Sequence, residues 1–411
     1  MSAGQHISTR TLPNGLTVIF EPMPWLASVA VTLSVPYGSS NDPDNLVGAH
    51  LVAAEWLQRG AGEFGARELA DYFDSFGATW SVAPGRERLT ISARSLSADT
   101  AHVFRGLANL MVAPQFTDAE FPSALKVIRE ELRARDDDYT SKLIDTLVTE
   151  LLSGPLGRST HGTLATLDAL TAQAVREHAV KRLCARGAVL SIAGGGSTEE
   201  MMSLAETYFG AWAGESPVPV TATVRAAREA HITEQTEQVH IALGWAGADP
   251  TDPSEALLAQ FVAHVLSGGM GARLFTEVRE KRGLVYAVSA SYNPIASHGL
   301  YIGYAGTTPE RAEETRRVYQ DVVHSLNTGI TAEEFARAQT GLLANVVMGG
   351  ESPGARSARL ANGWVRRGEV RTLAAVQRDI EQATRASVND FITQRFTFDP
   401  VVVTLGPGDA Q

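Results

Sequence analysis

The stretch F-T-D-A-E-F at residues 116–121 recurs as I-T-A-E-E-F at residues 330–335, 214 positions later in a chain of 411 residues. In both copies a threonine precedes acidic residues at the start of a helical run, as a helix N-cap should. These runs cover 122–135 and 336–349, and other amphipathic helices, 98–112 and 309–327, precede the two copies. The same order of helix, turn and helix at a fixed offset predicts a duplicated α/β domain.

Strand-like alternation accompanies the helices in both halves. The predicted strands are 16–21, 27–36, 87–95 and 187–193 in the first half, and 238–245, 284–291, 298–305 and 399–405 in the second. They cluster between helices, without the regular strand–helix alternation of a doubly wound parallel fold. The pattern predicts an α+β class with two homologous α/β-sandwich domains. Each domain is expected to be a mostly antiparallel sheet with helices packed on one face.

The length of the chain also indicates more than one domain, because 411 residues exceed what a single core usually holds. The segment 214–228 is rich in Pro, Thr and Ala and lacks helical periodicity. It is the predicted extended linker between an N-terminal domain, 1–213, and a C-terminal domain, 229–411.

Composition restricts the class of partner and the compartment. With 44% apolar and 20% charged residues, the sequence is typical of a globular protein. A net charge of −11 argues against nucleic acid or an anionic membrane surface as the main partner. No signal-peptide pattern and no run of 18 apolar residues is found, which predicts no membrane association. Cys184 is the single cysteine, so no internal disulfide can form and a cytoplasmic location is expected.

A helical motif occupies residues 48–61, G-A-H-L-V-A-A-E-W-L-Q-R-G-A. It resembles the catalytic helix of the inverted zinc metallopeptidases, the pitrilysin, insulysin and mitochondrial processing peptidase family, which reads G-L-A-H-F-L-E-H-M-L-F-K-G-T. That family places His, Glu and His at positions i, i+3 and i+4 of one helix face, where they bind zinc and activate water. Leu51, Ala54 and Glu55 stand at these positions here. The resemblance therefore implies that this chain has no zinc site and no cofactor of its own.

Two neighbouring candidates do not restore the motif. His50 and Glu55 are five residues apart, about 500° of helical rotation, so they point to different sides; His50 is expected to be a partly buried helix residue. Glu130, in V-I-R-E-E at 127–131, matches the third zinc-ligand position of the family. Without the two histidines it is expected to be an ordinary helix carboxylate. A Glu55–Glu130 site for a hard cation is the alternative.

The second half of the chain retains the sequence motif that the family carries in its C-terminal half. Residues 266–288, L-S-G-G-M-G-A-R-L-F-T-E-V-R-E-K-R-G-L-V-Y-A-V, resemble the C-terminal signature of a glycine loop followed by R-L-F-x-E-[IV]-R-E-K-x-G-L-x-Y. The resemblance assigns substrate contacts to Arg279 and Tyr286: the guanidinium would bind the peptide, and the phenol would donate to the developing oxyanion. The alternative is an Arg in a surface ion pair and a Tyr in the core.

Two further segments bear on peptide binding. Gly268, Gly269 and Gly271 in the glycine loop are candidate substrate-binding residues, because glycines let a peptide approach the backbone; a plain turn is the alternative. Residues 77–87 match the strand on which active relatives bind substrate by edge pairing, but Ser81, Val82 and Pro84 replace the expected Asn, Ala and Thr. Pro84 also removes a backbone donor, so loss of this binding strand is expected.

The resemblance implies a division of labour between two chains. A homologous H-x-x-E-H subunit would bind zinc and supply the general base, and this chain would supply Arg279 and Tyr286 in a heterodimer that cleaves short or unfolded peptides. The chain alone would be nearly inactive. The competing hypotheses are an inert scaffold or docking subunit of a larger complex, and a homodimeric pseudo-peptidase that sequesters peptides.

Overall fold

Two β-sheets organise the chain in a computed structural model that describes residues 5–214 and 220–408. The strands are β1 (Ser8–Thr11), β2 (Thr17–Pro22), β3 (Ser28–Val35), β4 (Gly60–Ala61), β5 (Phe64–Gly65), β6 (Thr79–Pro84), β7 (Leu89–Leu96), β8 (Val189–Gly194), β9 (Glu229–Thr233), β10 (Val239–Ala246), β11 (Ala287–Ile295), β12 (His298–Thr307) and β13 (Val401–Gly406). Each strand predicted from the sequence corresponds to one of these, and no end is shifted by more than four residues. Strands β1, β4, β5 and β9 have no predicted counterpart.

Helices make up most of the remaining chain. They are α1 (Ala49–Leu57), α2 (Ala66–Ser75), α3 (Thr100–Val112), α4 (Phe121–Arg135), α5 (Tyr139–Leu151), α6 (Gly154–Gly157), α7 (Leu164–Asp168), α8 (Ala172–Arg182), α9 (Thr198–Phe209), α10 (Pro253–Ser267), α11 (Ala312–His324), α12 (Ala332–Gly349), α13 (Pro353–Arg367), α14 (Leu373–Gln382) and α15 (Arg385–Arg395). A π-helix, Phe275–Glu280, follows α10. None of the helices in the described part of the chain combines the length and apolarity needed to span a membrane.

The two sheets have the same topology, which supports the predicted duplication. The first has the strand order β1-β2-β8-β3-β7-β6, and the second has β9-β13-β10-β12-β11. Apart from β1 the orders correspond strand for strand. In each sheet the first strand of the shared pattern pairs in parallel with the last one in the chain, β2 with β8 and β9 with β13, and the other pairs are antiparallel. The predicted α+β class is confirmed.

Alternation along the strands separates two faces of each sheet. In β2, Val18 and Phe20 belong to the main core of the first unit, whereas Ile19 lies on the opposite face in a smaller cluster. In β10, Ile241 and Leu243 belong to the core of the second unit. The helices of the same half cover the core face of each sheet, since apolar side chains must be removed from water there.

The compact units differ from the two continuous halves of the chain. The first comprises the described residues of Met1–Ala134, Thr160–Val220 and Met348–Leu373, and the second those of Arg135–Ser159, Thr221–Val347 and Ala374–Gln411. Helix α5, encoded in the first half, therefore belongs to the second unit and packs on β10 and β13. Helix α13, encoded in the second half, belongs to the first unit and packs on β3 and β8. The first half thus contributes α5 and the four-residue α6 to the second unit, and the second half contributes α13 to the first. We call α5 and α13 the exchanged helices.

Side-chain contacts fix each exchanged helix on the second face of its sheet. On α5, Leu147 and Leu151 are fully buried and lie directly over Gly244 of β10, where a Cβ atom would be 2.9 Å from Leu151. On α13, Leu360 packs with Ile19, and the Ser357 hydroxyl lies 2.8 Å from that of Thr32. Burial of each leucine contributes about 1.5–3 kcal/mol, so both sheets depend on the exchanged helix.

The predicted domain boundaries, 1–213 and 229–411, describe the two duplicated halves of the sequence and remain a prediction. The compact units of the structure are each made of several chain segments. Part of the predicted linker, 215–219, lies outside the described residues. After it, Val224 forms a β-bridge with Leu152, and the backbone N–H of Thr223 donates to Ser153 Oγ at 2.8 Å. Residues 221–224 thus run along the segment that follows α5.

Candidate functional site

Arg279 and Tyr286 lie at the two ends of a short connection between the π-helix and strand β11. The π-helix Phe275–Glu280 carries Arg279, and Tyr286 immediately precedes β11, which is the edge strand of the second sheet. Gly283 turns the chain between them with a φ of +61°, a conformation that favours glycine. Leu284 and Val285, which follow, are buried and anchor the connection to the core.

Hydrogen bonds hold this connection against the neighbouring elements. The Thr307 hydroxyl donates to the carbonyl oxygen of Leu284 at 2.6 Å, and the Arg311 guanidinium donates to that of Gly283 at 2.8 Å. The N–H of Tyr286 donates to Gly306 O at 3.2 Å. The backbone that presents both side chains is therefore fixed before any ligand binds, which is what a preorganised site requires.

The charges of the segment are distributed unevenly. The Glu277 carboxylate accepts from Lys281 Nζ at 2.7 Å and from Arg282 Nη1 at 2.8 Å. These two hydrogen bonds lower the pKa of Glu277. Arg279 is exposed, its Cζ atom lies 5.0 Å from the centre of the Phe275 ring, and it forms no ion pair with any residue that the structure describes. Among these neighbouring cations, Arg279 is the one whose charge no carboxylate neutralises.

Tyr286 is likewise directed to solvent rather than into the core. Its side chain is 69% exposed, although tyrosine is a large aromatic residue that usually buries part of its ring. Within the described residues its hydroxyl has no hydrogen-bond partner. The structural roles considered for this pair, a surface ion pair and a core tyrosine, are therefore not the ones observed. Their functional roles remain predictions.

The glycines of the loop after α10 have different physical reasons for lacking a side chain. A Cβ atom at Gly268 would lie 2.2 Å from Cδ2 of His264, and one at Gly341 would lie 2.1 Å from its Nε2 atom. The imidazole is thus held between two glycines, and burial lowers its pKa. Gly269 has a φ of +142°, and a Cβ atom added there would meet no other atom within 4 Å. Gly269 is the loop glycine whose surroundings leave room for a ligand.

A small hollow of about 50 Å³ lies beneath this loop. Its walls are formed by Gly268, Gly269 and Gly271 with His264 and Arg337, among others. The volume suits a few water molecules or one small side chain. The structure therefore brings the three predicted glycines to one concave surface, which is consistent with either a turn or a binding loop.

Helix α1 holds the positions of the degenerate zinc motif. Leu51 is 9% exposed and Ala54 2% exposed, so both pack in the core of the first unit. Glu55 forms an ion pair with Arg59, with Oε1 and Nη2 2.7 Å apart. Glu130 on α4 is largely exposed, and its carboxylate is 3.7 Å from Lys126 Nζ. Each of the two carboxylates has a basic partner four residues away along the chain, which suits surface residues better than metal ligands.

No group of three or more His, Cys, Asp or Glu side chains within residues 5–214 and 220–408 is arranged to hold a metal ion. Glu55 and Glu130, the pair considered for a hard cation, belong to no such group. Apolar Leu51 and Ala54 cannot donate an electron pair, so the residues present on α1 do not fit zinc.

His50 has a role that sequence reasoning missed. Its side chain is 1% exposed, whereas a partly buried residue was expected. Its Nδ1 atom lies 2.7 Å from Oδ2 of Asp42. The other carboxylate oxygen, Oδ1, lies 3.1 Å from Nε2 of His178 on α8. Asp42 also accepts from the backbone N–H groups of Gly48, at 3.0 Å, and His50. We call Asp42, His50 and His178 the buried carboxylate cluster.

No short sequence motif predicts the buried carboxylate cluster. Asp42 precedes the first residue of α1 by seven positions, outside the spacing of a normal N-cap, and His178 is 136 residues away. An aspartate buried at this depth needs compensating hydrogen bonds. The cluster supplies them and ties the start of α1 to α8.

Strand β6, which corresponds to the substrate-binding strand of active relatives, is the edge strand of the first sheet. Pro84 ends it, opposite Leu89 of β7. The remaining strand, Thr79–Ala83, alternates exposed and half-buried residues. The loss of peptide binding at this edge remains a prediction.

Comparison with known proteins relates this geometry to a family. The family model "Insulinase (Peptidase family M16)" matches residues 17–164, and "Peptidase M16 inactive domain" matches residues 169–342. An uncharacterized zinc protease of Mycobacterium tuberculosis is 29% identical over 406 residues, covering 97% of this chain and 92% of the relative. The uncharacterized zinc protease YmxG of Bacillus subtilis is 24% identical over 414 residues, covering 98% of both chains.

Solved structures share the fold over the full length. A peptidase M16 inactive domain from Pseudomonas fluorescens superimposes with a TM-score of 0.91 at 22% identity, covering 99% of both chains. A protease from Helicobacter pylori gives a TM-score of 0.90 at 17% identity, with 98% of this chain and 100% of that chain covered. The chain therefore belongs to peptidase family M16, as a member whose first-domain helix carries Leu51, Ala54 and Glu55 in place of the zinc-binding residues.

Proposed function

We propose that this chain is the non-zinc subunit of a heterodimeric zinc metalloendopeptidase that cleaves short or unfolded peptides. A homologous H-x-x-E-H subunit would hold the zinc and the general base. The proposal rests on one observation: the zinc ligands are missing from α1, but the Arg and Tyr of the second half are present. Arg279 and Tyr286 are exposed on a segment that hydrogen bonds hold in place. A scaffold has no chemical need for an unneutralised guanidinium and an exposed phenol at this spacing.

Arg279 would bind the peptide. Its guanidinium is a fixed fork of N–H donors that suits a backbone carbonyl or a carboxylate. Stacking on Phe275 restricts its orientation, and Glu277 is already occupied by Lys281 and Arg282, so the charge of Arg279 stays available for a substrate. A peptide can therefore bind to Arg279 without first breaking an ion pair of this arginine.

Tyr286 would stabilise the transition state. A phenol hydroxyl donates one hydrogen bond, which gains strength as a carbonyl oxygen acquires negative charge during attack. Tyr286 immediately precedes the edge strand β11, and its backbone N–H donates to the carbonyl oxygen of Gly306. The backbone of Tyr286 is fixed, while its hydroxyl is exposed to solvent. This arrangement suits contact with a peptide that is bound to a second chain.

The glycine loop would complete the peptide contact in this chain. Gly269 leaves open space over the backbone, while Gly268 and Gly271 line the hollow beside it. A peptide backbone could approach there without meeting a side chain. The proposed location is the cytoplasm, which the single buried Cys184 supports because no disulfide is needed.

Mixing two purified proteins tests the proposal. This chain, a related chain with an intact H-x-x-E-H motif and their equimolar mixture would be assayed on a peptide library, with zinc measured by mass spectrometry. We expect activity and about one zinc per heterodimer only in the mixture. A stable complex without turnover on any peptide would favour the scaffold hypothesis. Zinc bound stoichiometrically by this chain alone would contradict the assignment of α1.

A further inference from the structure

A cavity of about 320 Å³ lies between the start of α13 and strands β3 and β7 of the first sheet. Residues 30–32 and 92–94 form its floor, and the N-cap Ser352 with the first turns of α13 forms its roof. All of these residues belong to the first unit. Pockets that bind small molecules have volumes of about 300–1,000 Å³. We call this space the α13 cavity.

Small side chains on the sheet leave room for the cavity. Arg94 of β7 lies opposite Ala30 of β3, which lies opposite Ala193 of β8, and Glu21 of β2 is next in the same row. Residues that lie opposite each other point to the same face, and here the two middle ones carry only a methyl group. Glu21, at one end of the row, forms an ion pair with Arg356 of α13. Arg94, at the other end, lines the cavity and is exposed.

Arg94 places a positive charge beside the positive end of a helix. A Cβ atom added to Gly354 would lie 2.9 Å from Nη2 of Arg94, so the guanidinium packs on the first turn of α13. A helix N-terminus carries about half a positive elementary charge, which disfavours a neighbouring cation. That turn has no acidic residue, and Arg94 forms no ion pair or hydrogen bond with a residue in the described part of the chain. An anion that contacts both groups would remove this repulsion.

The first turn of α13 also offers a backbone donor. Pro353 has no N–H, and the N–H of Ala355 donates to the Ser352 hydroxyl at 3.4 Å. The N–H of Gly354 remains, and none of the described residues accepts from it. A free N–H at this position suits an oxyanion.

Buried hydroxyl groups complete the polar surroundings. Thr32 is 4% exposed and Ser357 1% exposed, both line the cavity, and their oxygens are 2.8 Å apart. When Ser357 donates to Thr32, the hydroxyl of Thr32 is free to donate to a ligand. Ser191 lies opposite Thr32 on β8 and is fully buried, and its hydroxyl has no hydrogen-bond partner within the described residues. Buried polar groups without a protein partner are usually satisfied by a ligand or by water.

From these observations we infer that the α13 cavity binds a monocarboxylate with a short aliphatic body. The guanidinium of Arg94 and the N–H of Gly354 hold the carboxylate, and Ala30 and Ala358 contact the aliphatic part. Because Arg356 is already paired, the remaining positive charge matches a single negative charge. The carboxylate belongs either to the C-terminus of a short peptide or to a free organic acid. This site is independent of the proposed peptidase function, since all its residues belong to the first unit and no zinc is involved.

Saturation-transfer NMR with N-acetyl-alanyl-alanine measures this binding on the full chain alone. We expect this probe to bind, and its C-terminal amide, which has no charge, to bind at least about tenfold more weakly. Propionate is the second probe. Equal affinity for propionate assigns the site to free organic acids, whereas clearly tighter binding of the dipeptide assigns it to peptide C-termini.

Two substitutions test the contacts. Arg94→Gln removes the guanidinium and should weaken binding about tenfold. Gly354→Ala should also weaken it, because the new methyl group displaces the guanidinium, while alanine favours the helix and preserves folding. Arg10→Gln, at an exposed arginine of β1 in the same sheet, is the matched control and should bind like the wild type.

Several results would overturn the inference. These are no binding of either carboxylate by the wild type, equal binding of the dipeptide and its amide, and equal affinity of the Arg94→Gln and Arg10→Gln variants. Tighter binding of inorganic phosphate than of propionate would also contradict it, because the site would then take a divalent anion. Near-ultraviolet circular dichroism checks that each variant is folded.

Discussion

The Nδ1 atom of His50 lies 2.7 Å from the Oδ2 atom of Asp42, and both side chains are almost completely buried. The bond joins the first turn of α1 to the loop before it, in the helix whose zinc-binding positions carry other residues. His178 binds the opposite oxygen of the same carboxylate. The start of α1 is thus held by one carboxylate with two imidazole partners and two backbone donors.

Replacing Asp42 should therefore be strongly destabilising. Asp42→Ala removes the acceptor for both imidazoles and for the N–H groups of Gly48 and His50, and we expect a loss of about 3–5 kcal/mol in the free energy of unfolding. Urea denaturation measures it. Asp138→Ala, which removes an exposed cap from α5, is the control and should cost about 1 kcal/mol. Equal losses would mean that the buried cluster contributes little.

The same carboxylate should make stability depend on acid. Burial alone would raise the pKa of Asp42, but the hydrogen bonds from His178 and His50 outweigh it and the pKa is lowered. Its folded value lies below the unfolded value of about 4, so Asp42 stabilises the fold above that pH, and this contribution is lost as the pH falls through the folded value. The unfolding free energy should fall more between pH 7 and pH 3 in the wild type than in Asp42→Asn. Parallel pH profiles would rule this out.

The close contact between His264 and Gly268 predicts a non-additive pair of substitutions. Gly268→Ala should cost about 1–3 kcal/mol, because the new methyl group meets a ring that Gly341 prevents from moving away. Most of this cost should disappear in the background of His264→Ala, which removes the ring. A double-mutant cycle, with the free energy of unfolding measured by thermal denaturation, gives the coupling between the two substitutions. Additive effects would show that backbone conformation, not the ring, requires the glycine.

Exchange of α5 and α13 predicts that neither sequence half folds alone. A fragment 1–214 lacks α13 over β3 and β8, and a fragment 220–411 lacks α5 over β10 and β13. Each fragment should give a poorly dispersed NMR spectrum, and the two should fold together on mixing or co-expression. A natively dispersed spectrum from either fragment by itself would contradict the dependence of the sheets on the exchanged helices.

Substitutions in the reconstituted heterodimer would test the roles of Tyr286 and Arg279. Tyr286→Phe should lower kcat by about 10²–10³-fold without dissociating the dimer, since one oxyanion donor is lost. Arg279→Gln should raise KM, whereas Arg282→Gln should not, because Glu277 already binds that arginine. Unchanged turnover of Tyr286→Phe in an intact dimer would exclude the assignment.

Local patterns in the sequence predicted local structure well. Thr331, the predicted N-cap of the second repeat copy, directly precedes α12 and accepts from the backbone N–H of Glu334 at 3.1 Å. The alternation of residues in β2, β3 and β10 placed these strands correctly. The repeated hexapeptide lies at the start of a helix in both halves, although α4 begins at its sixth residue, Phe121, and α12 at its third, Ala332. These features depend on neighbours a few residues apart, which is why a single sequence suffices to find them.

The sequence by itself determined the duplicated α+β fold, the absence of zinc-binding side chains at Leu51, Ala54 and Glu55, and the retained Arg279 and Tyr286. The tertiary structure alone decided which sheet each exchanged helix covers, since an apolar helix face fits either sheet and its sequence does not name a partner. It also decided the buried cluster of Asp42, His50 and His178, because those contacts join residues up to 136 positions apart. Periodicity reports only which face of an element is buried, whereas long-range packing selects what covers it.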